Sequence, residues 1–67
     1  MMVEDRYALA QRRAAEGRRI IDRQRLLIQR QKNLGQDTSG SEDLLAAFER
    51  SQEIFERDLA SFRGERE

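Results

Sequence analysis

Apolar residues recur along this chain at the three- and four-residue spacing of amphipathic α-helices. The C-terminal half carries one alternating pattern of this kind, at Leu45, Phe48, Gln52, Phe55, Leu59 and Phe62. The N-terminal half carries three adjacent heptad columns: Tyr7, Ala14, Ile21 and Ile28; Ala10, Gly17, Gln24 and Gln31; Ile20, Leu27 and Leu34. Alternating threes and fours are typical of a heptad repeat, and a stripe three columns wide is typical of a core-facing helix. The pattern therefore predicts two amphipathic helices.

A segment rich in glycine and serine separates the two patterns. Gly35 directly follows Leu34, in the position where a left-handed residue commonly ends a helix. Ser39 with Glu42 fits a capping box, and Thr38 is the alternative N-cap. We predict an all-α antiparallel hairpin in a single domain, residues 1–67, with a helix over about 4–34, a loop over 35–41, a helix over about 42–63 and a frayed tail over 63–67.

The predicted packing follows from folding the two stripes together. A loop of this length places Leu34 level with Leu45 and Gly17 near Phe62, so that a small residue faces a large ring. The predicted hairpin core comprises Ala14, Gly17, Ile20, Ile21, Leu27, Ile28, Leu34, Leu45, Phe48, Phe55, Leu59 and Phe62. Gln24, Gln31 and Gln52 also fall in core columns, where polar residues are expected to select register and partner number.

The size of the chain predicts a partner subunit. With 67 residues, a compact monomer would hide only about 60% of its unfolded surface. Absent cysteine and histidine remove disulfides and the commonest metal ligand as further sources of stability. A homodimer forming a four-helix bundle would supply the missing core, and a different protein is the other candidate partner. The longer first helix should project beyond the second, and the candidate partner contacts are Val3, Tyr7, Ala10, Leu26 and Ile54.

Charge divides the chain in two. Residues 1–35 hold nine basic and four acidic groups, and residues 36–67 hold four and nine. Two helices of opposite charge attract each other when they pack side by side. Our first interpretation is therefore that the charge division controls how the two helices of the hairpin pair. An arginine-rich RNA-binding hairpin is the alternative, with candidate contacts at Arg12, Arg18, Arg19, Arg25 and Lys32. It ranks second because the basic residues lie on several helix columns and the net charge is zero.

The sequence offers little chemistry, so we expect a protein that is not an enzyme and binds no cofactor, metal or small-molecule substrate. Serines have no histidine to act as base, and no glycine-rich phosphate loop is present. Glu49, Glu53 and Glu56 are interpreted as a solvated face pairing with Arg50 and Arg57. The lack of a long apolar run or a signal-peptide core predicts a cytoplasmic location away from membranes.

Three short motifs resemble those of a group of very short proteobacterial helical-hairpin proteins with no assigned activity. The motifs are Ala-Glu-Gly-Arg-Arg-Ile-Ile-Asp-Arg-Gln at 15–24, Gly-Gln-Asp-Thr at 35–38 and Leu-Leu-Ala-Ala-Phe-Glu at 44–49. The resemblance implies a helical hairpin and assigns no function. From the residues, we expect a non-catalytic protein–protein interaction module that self-associates.

Overall fold

Two antiparallel helices of equal length form the fold. The computed structural model describes residues 5–66, with side chains through residue 62, and Val3 lies outside that range. Helix α1 spans Arg6–Asn33 and helix α2 spans Ser39–Arg66, 28 residues each. The helices pack against each other, and the described residues contain no strand. The predicted all-α hairpin is therefore confirmed.

Helix α1 has a side-chain cap at its start and a glycine at its end. The Asp5 carboxylate accepts a hydrogen bond of 2.7 Å from the Ala8 amide. At the other end Gly35 takes a left-handed φ of 72°, as predicted. Its amide donates to the Lys32 carbonyl, and the Gln36 amide donates to the Gln31 carbonyl at 2.8 Å. This pair of bonds is a Schellman motif, which ends the helix by satisfying two carbonyls of its last turn.

Helix α2 begins at Ser39, three residues before the predicted start. The Thr38 carbonyl accepts from the Glu42 amide at 2.8 Å, and the Asp37 carboxylate accepts from the Ser39 amide at 3.0 Å. Thr38 therefore occupies the N-cap position, and the capping box of Ser39 with Glu42 was wrong. Because the Asp37 side chain satisfies a first-turn amide, Gly40 and Ser41 join the helix rather than the loop. The helix also continues to Arg66, beyond the predicted end at 63.

The shorter turn changes which residues face each other. Gly17 lies against Gln52, ten residues before the predicted neighbour Phe62. Phe62 instead packs edge-on against Tyr7, with ring centroids 5.9 Å apart. The two helices have equal length, so Tyr7 and Ala10 pack within the hairpin and do not project beyond α2 as predicted.

The buried core is narrower than the apolar stripe of α1. The buried residues are Ala10, Ala14, Ile21, Gln24, Ile28, Gln52 and Leu59. Leu45, Phe48, Phe55, Phe62 and Gly17 are partly buried. Three predicted core residues are exposed instead: Ile20 by 42%, Leu27 by 44% and Leu34 by 73%. They form one heptad column, and they remain uncovered because a single neighbouring helix covers only two of the three columns of α1.

Candidate interaction surface

One long edge of the hairpin is closed by ion pairs between the helices. Its pairs are Arg18 with Glu56, Arg25 with Glu49, and Lys32 with Glu42. Successive pairs are seven residues apart on both helices, which is two helical turns and places all three on one side. We call these three pairs the ion-pair edge. It links the basic α1 to the acidic α2, as the charge division predicted.

Arg18 makes the most specific of these contacts. Its guanidinium binds both carboxylate oxygens of Glu56, with an Nε to Oε2 distance of 2.7 Å. This side-chain hydrogen bond, together with the charge of Glu56, raises the pKa of Arg18 above its ordinary value. Glu56 also accepts from the Gln52 amide at 2.8 Å, so the pair is joined to a buried side chain. The acidic residues of α2 therefore pair partly across the hairpin. Glu53 keeps the expected partner Arg57, at 3.9 Å.

The opposite side of the hairpin is apolar and uncovered. We call it the open face and define it by the column Ile20, Leu27 and Leu34 on the α1 side, with Leu44, Phe48 and Phe62 on α2. Leu44 is 46% exposed. A shallow groove of about 430 Å³ runs over the middle of this face between Ile20, Gln24, Leu27 and Phe48. A second groove near the chain termini contains Leu9, Ala10 and Phe62.

Charged side chains line the rims of these grooves. Arg23 and Arg30 stand beside the middle groove, and Arg6, Arg13 and Asp58 stand beside the other. Within the described part of the chain, the arginines on this rim form no salt bridge. The open face thus has an apolar centre and a charged border, which is the composition of a protein–protein contact surface.

Buried glutamines connect the two helices in the layer between the ion-pair edge and the open face. The Gln52 amide donates to the Ala14 carbonyl at 2.8 Å, and its Oε1 atom lies 1.7 Å from the point where a Cβ atom on Gly17 would stand. Gly17 is therefore small because the Gln52 carboxamide occupies that space. Gln24 donates to the Ser41 carbonyl at 2.9 Å and ties α1 to the first turn of α2. These contacts are specific to one alignment of the helices, which is consistent with the predicted role of the glutamines in register.

The remaining predicted partner contacts fall on different surfaces. Tyr7 is half-buried in the hairpin and Ala10 is buried. Leu26 is 60% exposed and lies on the α1 rim of the middle groove. Ile54 is 63% exposed on the outer flank of α2. Sequence reasoning missed Leu44, although it precedes Phe48 by one helical turn.

The candidate nucleic-acid contacts fall into two groups, those that pair with α2 and those on the exposed side of α1. Arg18, Arg25 and Lys32 are engaged by acidic residues of α2. Arg12 and Arg19 lie on the exposed side of α1. A ligand that used the first three would compete with contacts between the helices.

Among the side chains described, those of residues 5–62, no three potential metal-ligating groups cluster together. Over residues 5–66, neither helix is long and apolar enough to cross a membrane.

Comparison with protein-family models, curated proteins and solved structures finds no match to the chain. The resemblance to short proteobacterial hairpins stays a prediction, and the functional proposal rests on the residues described above.

Proposed function

We propose that this chain is a non-catalytic protein–protein interaction module that self-associates through the open face. One observation carries the proposal: Ile20, Leu27 and Leu34 form a regular heptad column and are 42–73% exposed. Scattered exposed leucines are ordinary on protein surfaces, whereas an apolar column beside a row of phenylalanines indicates a contact surface.

The dimensions of the hairpin support a second layer. The chain exposes 5575 Å², whereas size scaling gives about 4,400 Å² for a compact 7.9 kDa protein. The excess is comparable to the surface of about 800 Å² that each partner contributes to an interface of standard size. The radius of gyration is 15.6 Å, against about 11 Å for a compact chain of 67 residues. A second hairpin on the open face would turn this single layer into a four-helix bundle.

Light-scattering mass on a sizing column tests the proposal. We expect a mass near twice 7.9 kDa for the unaltered chain. Leu27→Lys should shift the population to monomer, because it places a charge at the centre of the open face. Gln29→Lys is the matched control, since it introduces the same residue two positions along α1, where Gln29 is exposed and bonded to Asn33. A monomeric unaltered chain at 100 μM, with intact helicity, would contradict self-association.

A specific observation also favours the alternative function, RNA binding. Arg6, Arg13, Arg19, Arg23 and Arg30 all lie on α1, and none forms a salt bridge within the described part of the chain. Exposed arginines not held by acids are available to bind phosphate. This reading predicts binding to a short RNA hairpin that weakens steeply between about 50 and about 200 mM salt. Combined replacement of Arg19, Arg23 and Arg30 by alanine should abolish it, and absence of binding at low salt would exclude it.

A further inference from the structure

The apolar residues of α1 change column halfway along the helix. In the column that faces α2, Ala10 is apolar, but Gln24 and Gln31 further along the helix are polar. The neighbouring column on the open face shows the reverse order, because Arg13 is charged and the positions from Ile20 onwards are apolar. Residues seven apart lie on one side of a helix. Apolar side chains therefore leave the contact between the helices and move to the open face midway along α1.

The exposed apolar side chains gather near the turn. We divide the hairpin at the midpoints of its helices into a turn half, residues 20–52, and a terminal half, residues 6–19 and 53–66. Among the described side chains of the terminal half, Ile54 is the one large apolar residue that is exposed. The turn half exposes Ile20, Leu26, Leu27, Leu34 and Leu44.

The same change runs along α2. Leu44, which is 46% exposed, is followed in its column by Ser51 and then by Asp58, at intervals of seven residues. Asp58 lines the groove near the chain termini together with Arg13. On both helices, the open face is therefore apolar beside the turn and polar or charged towards the chain termini.

The terminal half packs its large apolar residues inside the hairpin. Its hydrophobic cluster combines two alanines of α1 with larger residues from both helices: the members are Ala10, Ala14, Leu59, Tyr7, Phe55 and Phe62. Small residues opposite large ones let side chains from the two helices fill the space between them. This half therefore has an apolar core without a second layer.

The core of the turn half is partly polar. Gln24 and Gln52 are buried there beside Ile21 and Ile28. The side-chain oxygen of Gln31 is also buried, and it has no hydrogen-bond partner among the described residues. A buried polar group costs free energy when it is unpaired. The turn half thus combines the more polar core with the larger exposed apolar surface.

We infer that a second copy of the chain docks on the turn half of the open face alone, an inference that rests on the proposed self-association. Contact over the turn half buries the exposed apolar side chains of both copies. Contact over the terminal half would instead bring Arg6, Arg13 and Asp58 into the interface. Charged residues are depleted from the cores of interfaces, because they lose hydration there. The groove near the chain termini therefore stays in water, and the four helices overlap only beside the turns.

The charge of the turn half favours a second copy over an anionic surface. Residues 20–52 contain five basic and five acidic side chains, so their net charge is zero. Two copies can therefore meet over this half without net repulsion. An anionic membrane or a nucleic acid gains its affinity from an excess of basic residues, and the turn half has none.

Thiol protection at matched positions tests where the two copies touch. The chain contains no cysteine, so each single-cysteine variant carries one reactive thiol. Leu27→Cys and Arg13→Cys lie two heptads apart in one column of α1, and Leu44→Cys and Asp58→Cys lie two heptads apart in one column of α2. The measurement is the rate of reaction with a bulky maleimide in dilute and concentrated samples, together with the light-scattering mass of each variant.

The two halves should differ clearly in this measurement. At a concentration where about nine-tenths of the chains are paired, the thiols of Leu27→Cys and Leu44→Cys should react about tenfold more slowly than in dilute solution, because only free chains expose them. The thiols of Arg13→Cys and Asp58→Cys should react at equal rates in both samples. Loss of the dimer through Leu27→Cys or Leu44→Cys would also support the inference, whereas loss through Arg13→Cys or Asp58→Cys would overturn it.

The remaining outcomes separate this inference from the proposed function. Protection at all four positions would show a bundle along the whole hairpin, which overturns the restriction to the turn half and leaves self-association standing. Dimeric mass without protection at any position would overturn the inference as well, since the copies would touch elsewhere. A monomeric unaltered chain overturns both. Protection of a monomeric chain by anionic lipid vesicles would assign the turn half to a membrane instead.

Discussion

At the scale of single residues, the contact between Gly17 and Gln52 determines how the helices align. Sequence reasoning recognised that Gly17 needs a packing reason, since a helical glycine costs about 1 kcal/mol relative to alanine. It assigned Phe62 as the neighbour, whereas the space is filled by the carboxamide of Gln52. The error could not be avoided from the sequence, because the neighbour depends on the length of the turn.

We expect Gly17→Ala to lower the free energy of unfolding by about 1–2 kcal/mol. The added Cβ displaces Gln52 from its hydrogen bonds with Ala14 and Glu56, and this loss exceeds the gain in helix propensity. Gly40→Ala is the matched control, because nothing lies within 4 Å of its Cβ position, and it should stabilise. Urea unfolding measures both. Equal stabilisation by the two substitutions would refute the insertion of Gln52.

A second prediction at this scale concerns Asp37 and pH. The hydrogen bond from the Ser39 amide holds the pKa of Asp37 below its ordinary value of 3.8. A carboxylate whose pKa is lower in the folded state stabilises that state above its unfolded pKa, and this contribution disappears as pH falls through the folded pKa. Asp37→Asn should therefore unfold at lower urea than the unaltered chain at pH 7, and the difference should shrink as the pH falls below the ordinary pKa of 3.8. A constant difference between pH 7 and pH 3 would count against the assignment.

At the scale of the helices, the ion pairs and the exposed apolar residues occupy opposite sides of the hairpin. The ion-pair edge joins α1 to α2 at three levels, and the open face lies on the other side. The charge difference between the halves of the chain predicts attraction between the helices. It does not predict which arginines are paired, since Arg18 and Arg19 are alike in sequence and only the rotation of α1 separates them.

The ion-pair edge should make a small, salt-dependent contribution to stability. Exposed pairs of this kind contribute about 0.2–1 kcal/mol each, and Arg25 and Glu49 are about half exposed. We expect Arg25→Glu to lower the urea midpoint more than Arg19→Glu, which makes the same charge change at an exposed position. The difference should shrink in 1 M sodium chloride, where screening shortens the reach of charge. A difference unchanged by salt would indicate a loss of packing instead.

At the scale of the whole molecule, the hairpin is one layer thick, with extents of 49 × 27 × 14 Å. A layer of two helices leaves one side of each helix uncovered. The apolar residues of that side are what a second layer would bury, and burial of a leucine contributes about 1.5–3 kcal/mol when complete. Stability of the fold and association are therefore expected to be linked.

Thermal unfolding across a hundredfold range of protein concentration measures this linkage. The midpoint should rise with concentration, because association stabilises the folded chain by mass action. Leu27→Lys should unfold at a lower temperature that no longer depends on concentration, while Gln29→Lys should behave like the unaltered chain. A concentration-independent midpoint in the unaltered chain would mean that the hairpin is stable alone.

The sequence by itself determined the all-α hairpin, the left-handed Gly35 and the attraction between a basic and an acidic helix. These features depend on the spacing and composition of residues that lie close together in the chain. The sequence alone contains that information. Only the tertiary structure decided that Gly17 faces Gln52, that Ile20, Leu27 and Leu34 are exposed, and that Arg18 is paired. All three depend on the position and rotation of one helix against the other. The turn sets that position, and because α2 starts three residues earlier than predicted, Gly17 faces Gln52 and not Phe62.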